Sequence, residues 1–194
     1  LNLRAEGAPV FIAGQGGINF YAGNHPRASG RSVEIPELGG TEGGWVEFVD
    51  ASRRVAEEAR GRPLDTNEVS AYWYGRGRDW IRGEPAAAAA LTLKKAYYLV
   101  NAYETPSNRD LYARRPWPLV PLLWHLPWFA FPAGLVFPLA VAGAVAGWRR
   151  HRRAVLLLAG WVLLYGASLL PFFIAARFRL GLVPAVIPLA ALAL

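Results

Sequence analysis

Two apolar runs, Pro127–Gly147 and Ala154–Ala176, flank a basic knot, Trp148-Arg149-Arg150-His151-Arg152-Arg153. Neither run holds an Asp, Glu, Lys or Arg. Each is close to the roughly 20 residues an α-helix needs to cross about 30 Å of hydrocarbon. A helix on the surface of a water-soluble domain carries a polar face, and these runs offer none. The pattern predicts a transmembrane hairpin; the competing arrangement is a buried helix pair in a large soluble protein. A short loop with four Arg stays on the cytoplasmic side. The residues before Trp117 are then expected outside the cytoplasm, as is the short Arg177–Arg179 turn.

Charge follows the same division. The sequence has 194 residues, with 21 Lys+Arg, 14 Asp+Glu and a net charge of +7, and every acid precedes Pro116. The excess positive charge is therefore a topology signal rather than a nucleic-acid footprint. With no Cys, disulfides and thiolate metal sites are excluded. The chain begins Leu-Asn-Leu-Arg and ends inside Gly181–Leu194, an apolar run too short to cross a bilayer. The expectation is an internal fragment of a longer polytopic protein. The fold class expected is mainly α: a polytopic α-helical membrane protein with a small, mostly helical extracytoplasmic domain. That domain, 1–116, should hold a Gly-rich segment and about three helices. The transmembrane region, 117–194, should hold spans at about 127–147 and 154–176 and the start of a third at 181–194.

Along the first part, Ala8–Ala13 reads as a short buried strand. Gly14–Gly30 follows with five Gly, which permit positive φ and close backbone approach. Asn19, Asn24, His25, Arg27 and Ser29 supply donors and acceptors, and Phe20 and Tyr21 supply flat apolar faces. This mixture suits a sugar or sugar-phosphate; it equally describes a surface loop rich in turn formers. A helix is expected from about Trp45 to Arg60, with Trp45, Phe48, Val49 and Val55 as its apolar stripe. Asp65 and Glu68 form a capping-box pattern for a second helix ending near Gly83. Pro85 opens a third, reaching about Ala102. Arg114 to Trp117 marks the entry to the membrane, where Trp117, Trp124 and Trp128 suit an interfacial belt.

Gly16-Gly-Ile-Asn-Phe-Tyr-Ala-Gly-Asn24 resembles the Gly-Gly-x-Asn-Phe-Tyr-x-Gly-Asn stretch of bacterial membrane glycosyltransferases of the GT-C superfamily. These are the family 39 enzymes, similar to dolichyl-phosphate-mannose–protein mannosyltransferases. Ser70-Ala-Tyr-Trp73 matches the family's Ser-x-Tyr-Trp, although core packing is the favoured role of Tyr72 and Trp73. Lys94-Lys95, then Asn101-Ala-Tyr-Glu-Thr-Pro106 and Asn108-Arg-Asp110-Leu-Tyr112, continue the resemblance in order and spacing. Arg177-Phe-Arg-Leu is similar to the family's Arg-Tyr/Phe-Arg-Leu-Pro, with Gly181 in place of the Pro. His25 stands where the family usually has a second Asn.

The resemblance implies transfer of a sugar from a polyprenyl-phosphate carrier to a protein, lipid or cell-envelope glycan acceptor. The place would be the extracytoplasmic side of a bacterial cytoplasmic (inner) membrane. Such a reaction needs a general base for the acceptor hydroxyl and stabilisation of the departing lipid phosphate. In the family the base is an acid in an early extracytoplasmic loop, so it is expected upstream of Leu1 and no catalytic residue is assigned here. Glu104 and Asp110, the motif-borne acids, are expected in cap or turn roles. The candidate substrate-binding residues are Asn19, Tyr21, Asn24, His25, Arg27, Arg177 and Arg179. No metal ligand set and no cofactor are evident. A guanidinium fork matches phosphate oxygens. Arg177 and Arg179 converge on one phosphate if their segment is extended and diverge by about 200° if it is helical; alternatively both reach to lipid headgroups. There is no P-loop, H-E-x-x-H or G-x-S-x-G. The other function class is a non-catalytic membrane protein with an extracytoplasmic helical domain, an assembly or transport component.

Overall fold

The computed structural model describes residues 14–39, 44–101 and 133–194. The expected strand at Ala8–Ala13, the motif residues from Tyr103 to Tyr112 and the membrane entry around Trp117 lie outside these residues. The described residues are mainly helical and include no strand. The helices are α1 (Gly16–Ala22), α2 (Gly44–Arg60), α3 (Thr66–Gly83), α4 (Pro85–Val100), α5 (Ala133–Gly147), α6 (Arg152–Leu169), α7 (Ala176–Arg179) and α8 (Val183–Ala191). Short 3-10 turns lie at Pro36–Leu38 and Leu180–Leu182. The chain forms two compact units, Leu1–Thr92 with Pro171–Phe173, and Leu93–Leu170 with Ile174–Leu194. The division passes through α4.

In the first unit, α3 starts where the capping box requires. Asp65 Oδ1 accepts from the Glu68 backbone N–H at 2.8 Å, and the Asp65 N–H donates to Glu68 Oε2 at 3.0 Å. The Arg62 guanidinium and the Asp65 N–H hold the Glu68 carboxyl down at about 2. The buried side of α2 is Phe48, Ser52 and Ala56, at i, i+4 and i+8. This corrects the expected stripe: Trp45 is 49% exposed and stacks outside on Phe48. Ser52 belongs inside because its hydroxyl donates to the Val49 carbonyl and its own carbonyl accepts from the fully buried Trp73 indole N–H. The Gly-rich segment is not all turn. Gly16–Ala22 is a helix, and within Gly14–Gly30 only Gly30 has positive φ, at 82°. Gly17 and Gly23 serve close approach instead: a Cβ on Gly17 would collide with the Ser70 carbonyl, and one on Gly23 would lie 2.7 Å from the Phe172 backbone.

In the second unit, α8 packs chiefly on α5 and also on α6, around Ala140, Val155, Leu182, Val186, Leu189 and Ala190. The contact face of α5 is the small-residue row Ala140, Gly143 and Gly147, all buried. A Cβ on Gly143 would run into the Leu189 carbonyl oxygen. Small residues let helix backbones approach this closely. One described helix, α6, is long and apolar enough to cross a membrane, and α5 is apolar but shorter. The expected second span to Ala176 is shorter: α6 ends at Leu169, ahead of Pro171, and the chain restarts as a helix at Ala176. Leu156, Leu157, Leu163 and Leu164 on α6 are each more than half exposed.

Two glycines, Gly143 of α5 and Gly160 of α6, predict opposite responses. Gly143→Ala should lower stability by about 1–3 kcal/mol, because the added methyl forces α5 and α8 apart. Gly160→Ala, which meets nothing within 4 Å, should be neutral or stabilising by up to about 1 kcal/mol. Thermal unfolding in detergent, followed by circular dichroism, reads both; equal midpoints for the two variants would exclude the close α5–α8 contact.

Candidate functional site

In the first unit, α1 lies on α3. The Gly17 N–H donates to Ser70 Oγ at 3.0 Å, and Phe20 stacks on Tyr74 with centroids 5.1 Å apart. Gly77 of α3 leaves room for the Phe20 ring, which a Cβ there would approach to 2.7 Å. The Gly16–Tyr21 stretch and Ser70–Trp73 are thus in direct contact.

The polar cluster beside them centres on Tyr21, which is buried. Its hydroxyl donates to Glu37 Oε1 at 2.6 Å. Arg76 donates to the same oxygen at 2.9 Å and lies over both the Tyr21 and Trp73 rings. Burial, and then the bond to Glu37, push the Tyr21 phenol well up. Burial pushes Glu37 up too, but the Tyr21 hydroxyl, a backbone N–H and the Arg76 charge outweigh it and hold the carboxyl below its usual range. Neither Glu37 nor Arg76 was singled out from sequence. Glu37 lies in a Pro- and Gly-rich loop with no motif, and only the fold brings that loop to Arg76.

Asn24 and His25 are buried, 5% and 2% exposed. The Asn24 amide nitrogen donates to the carbonyls of Phe20 and Pro171, at 2.8 and 2.6 Å. His25 Nδ1 accepts from the Arg27 backbone N–H at 3.3 Å, and Nε2 lies 3.0 Å from the Glu34 carbonyl. These two bonds assign the neutral Nε2–H tautomer. Asn19 is half-buried on α1, and Arg27 is exposed. Of the five candidate residues in this segment, Tyr21, Asn24 and His25 have polar atoms turned to protein partners; Asn19 and Arg27 stand nearer solvent.

Arg177 and Arg179 lie in the second unit. Their segment is helical, so the two side chains diverge. Arg177 is exposed, with its guanidinium 5.0 Å from the Phe178 ring. Arg179 is 5% exposed, donates to the Asn101 carbonyl at 2.6 Å and lies over Phe137. Lys94 is exposed above Tyr98, while its neighbour Lys95 is fully buried and donates to the Leu170 carbonyl at the end of α6, at 3.1 Å. Burial pulls the Lys95 ammonium down to about 8. Its charge therefore weighs against folding at neutral pH, and stability rises as pH climbs from about 8 toward 10.5. Asn101 Oδ1 is buried with no hydrogen-bond partner among the described residues. Gly181 packs so closely on Tyr165 that a Cβ would overlap the ring, and its carbonyl accepts from the Trp161 indole at 2.9 Å. The turn there is tight. Among the described residues no three His, Asp or Glu side chains converge as metal ligands would.

His25 gives this arrangement a pH signature. Burial holds its folded pKa below 6.5, so on acidification below 6.5 the unfolded chain takes up a proton that the folded chain refuses. Protonation at Nδ1 also breaks the bond from Arg27. Stability should fall as pH drops below 6.5 and level off below the folded pKa, with the contribution of Glu37 lost in turn below 4.5. Melting midpoints at stepped pH should show this first decline in the wild type and lack it in His25→Gln; the same decline in both proteins would assign it to another group. Comparison of the chain with protein-family models, with curated proteins and with solved structures finds no match in any of the three.

Proposed function

We propose that this chain is part of an integral membrane glycosyltransferase of the GT-C, family 39 type, which moves a sugar from a polyprenyl-phosphate carrier to an acceptor on the extracytoplasmic side. The observation that carries the reading is that residues bearing the resemblance bond to one another over long sequence distances. Gly17 meets Ser70 across 53 positions, and Asn101 meets Arg179 across 78. The bilayer is supported by α6: burying a Leu side chain is worth about 1.5–3 kcal/mol, and this helix leaves four largely uncovered. Hydrocarbon removes that cost.

Within this reading the two arginines divide their work. Arg177, exposed beyond the end of α6, is the one available to a lipid phosphate. Arg179 is a positioning residue that holds the Asn101 carbonyl. A second reading, a non-catalytic membrane protein, is favoured by the inward bonding of Tyr21, Asn24 and His25, whose polar groups are taken by the Glu37 carboxylate and by the backbone.

Turnover of a panel of polyprenyl-phosphate hexoses by the full-length protein in proteoliposomes tests both. Arg177→Lys keeps the charge but loses the paired donors, and should cut turnover about tenfold to a hundredfold, the equivalent of about 1.5–3 kcal/mol, at unchanged membrane abundance. Arg179→Ala should lower abundance and melting temperature first, since the half-buried Asn101 carbonyl loses its charged donor, at a cost of about 1–3 kcal/mol. Wild-type turnover in Arg177 variants would remove its phosphate role. Absence of transfer from every donor would leave the second reading.

A further inference from the structure

The turn between α5 and α6 carries Arg149, Arg150, Arg152 and Arg153, and every residue from Trp148 to Arg153 is exposed. The turn is held by its backbone: the His151 N–H donates to the Gly147 carbonyl at 2.7 Å, and the Val155 N–H to the His151 carbonyl at 2.9 Å. Among the described residues none of the four arginines has a carboxylate within ion-pair distance. The first turn of α6 contains no acid, and His151 provides no side-chain cap. Arg152 and Arg153 instead sit at the positive end of the helix dipole, where a cation costs stability. Four guanidiniums thus crowd one turn with no carboxylate of the described residues to offset them. Trp148, 43% exposed, lies 5.4 Å beneath the Arg152 guanidinium. An indole paired with Arg at the end of an apolar helix is the chemistry of the headgroup layer.

We propose that the Trp148–Arg153 turn is a binding site for the phosphate groups of anionic phospholipids in the leaflet it faces. Phosphate oxygens accept the paired N–H donors of a guanidinium, and their charge supplies what the turn lacks. Adjoining apolar helices favour a lipid over a soluble anion, because the acyl chains lie against surface that is apolar in any case. The proposal rests on the membrane-hairpin part of the reading above and not on sugar transfer.

The sequence has no Cys, so H151C gives a single labelling site. The full chain carrying H151C and an environment-sensitive fluorophore is placed in phosphatidylcholine nanodiscs, which expose both leaflets and remove orientation from the question. Quenching by headgroup-spin-labelled phosphatidylglycerol is compared with quenching by the phosphatidylcholine analogue. The expected result is preferential quenching by phosphatidylglycerol, weakened by salt and reduced about fivefold for each Arg removed in R149Q and R149Q/R150Q. Equal quenching by both lipids in the wild type would overturn the proposal, as would an unchanged preference in the double variant. Loss of the preference on adding inorganic phosphate, at the ionic strength of a chloride control, would make the site one for soluble anions and equally overturn it. Failure of the chain to enter phosphatidylcholine discs would overturn the hairpin itself, a result distinct from entry without lipid preference.

Discussion

Where a helix stops, carbonyl oxygens are left without the N–H groups that would have followed, and at several breaks among the described residues side-chain donors reach them. In the second unit Lys95 takes Leu170 at the end of α6, Arg179 takes Asn101 beyond α4, Tyr165 takes Phe178 and Trp161 takes Gly181. In the first unit Asn24 takes Phe20 and Pro171. The demand is strictest in an apolar setting, where water cannot replace the missing partner. Two cations are buried in so apolar a unit, each bonded to a carbonyl at or just beyond a helix end. The same demand explains the break at Pro171–Ala175, which the chain tolerates because the freed carbonyls at its margins are answered.

Local signals in the sequence translated directly. The capping box at Asp65 and Glu68 needs four consecutive residues and no tertiary partner, and α3 begins there. Pro85 opens α4 for the same reason, since a proline in the first turn gives up an N–H that has no intrahelical partner. The inward side of α2 was less legible. Periodicity favoured Trp45 by size, but the fold buries Ser52, whose carbonyl the Trp73 indole needs. A hydrophobic pattern cannot register that demand. Glycine was legible in type and not in use: Gly17 and Gly143 are required by neighbouring backbones rather than by φ. For Gly143 a usable signal was present, the Gly143-x-x-x-Gly147 spacing in an apolar helix. The burial of Arg179 beside an exposed Arg177 depends on whether one short segment is helical, and sequence left both forms open.

The polar cluster of the first unit has a different logic. Tyr21, Glu37 and Arg76 form a bonded triad beside Trp73, and each member restrains another: the carboxylate is held ionised, the phenol is held protonated, and the guanidinium is held over two rings. Such a network favours one arrangement because each bond supports the next. Asn24 and His25 extend the same order along the backbone. The Asn24 amide and the His25 imidazole, in a stretch whose composition suits either a ligand or a loop, are here bonded to Phe20, Pro171, Arg27 and Glu34, with Asn19 and Arg27 nearer solvent.

The lysines of the sequence are Lys94 and Lys95, adjacent in the chain and opposite in environment. One ammonium stands in solvent over a tyrosine ring; the other is shut inside, bonded to the end of a helix. An acylating reagent applied to the folded protein therefore meets one lysine amine out of two neighbours, and the second becomes reactive only when the α4–α6 contact opens. The ratio of single to double acylation within one proteolytic peptide counts those openings, so the chain carries its own clock for local unfolding at that junction.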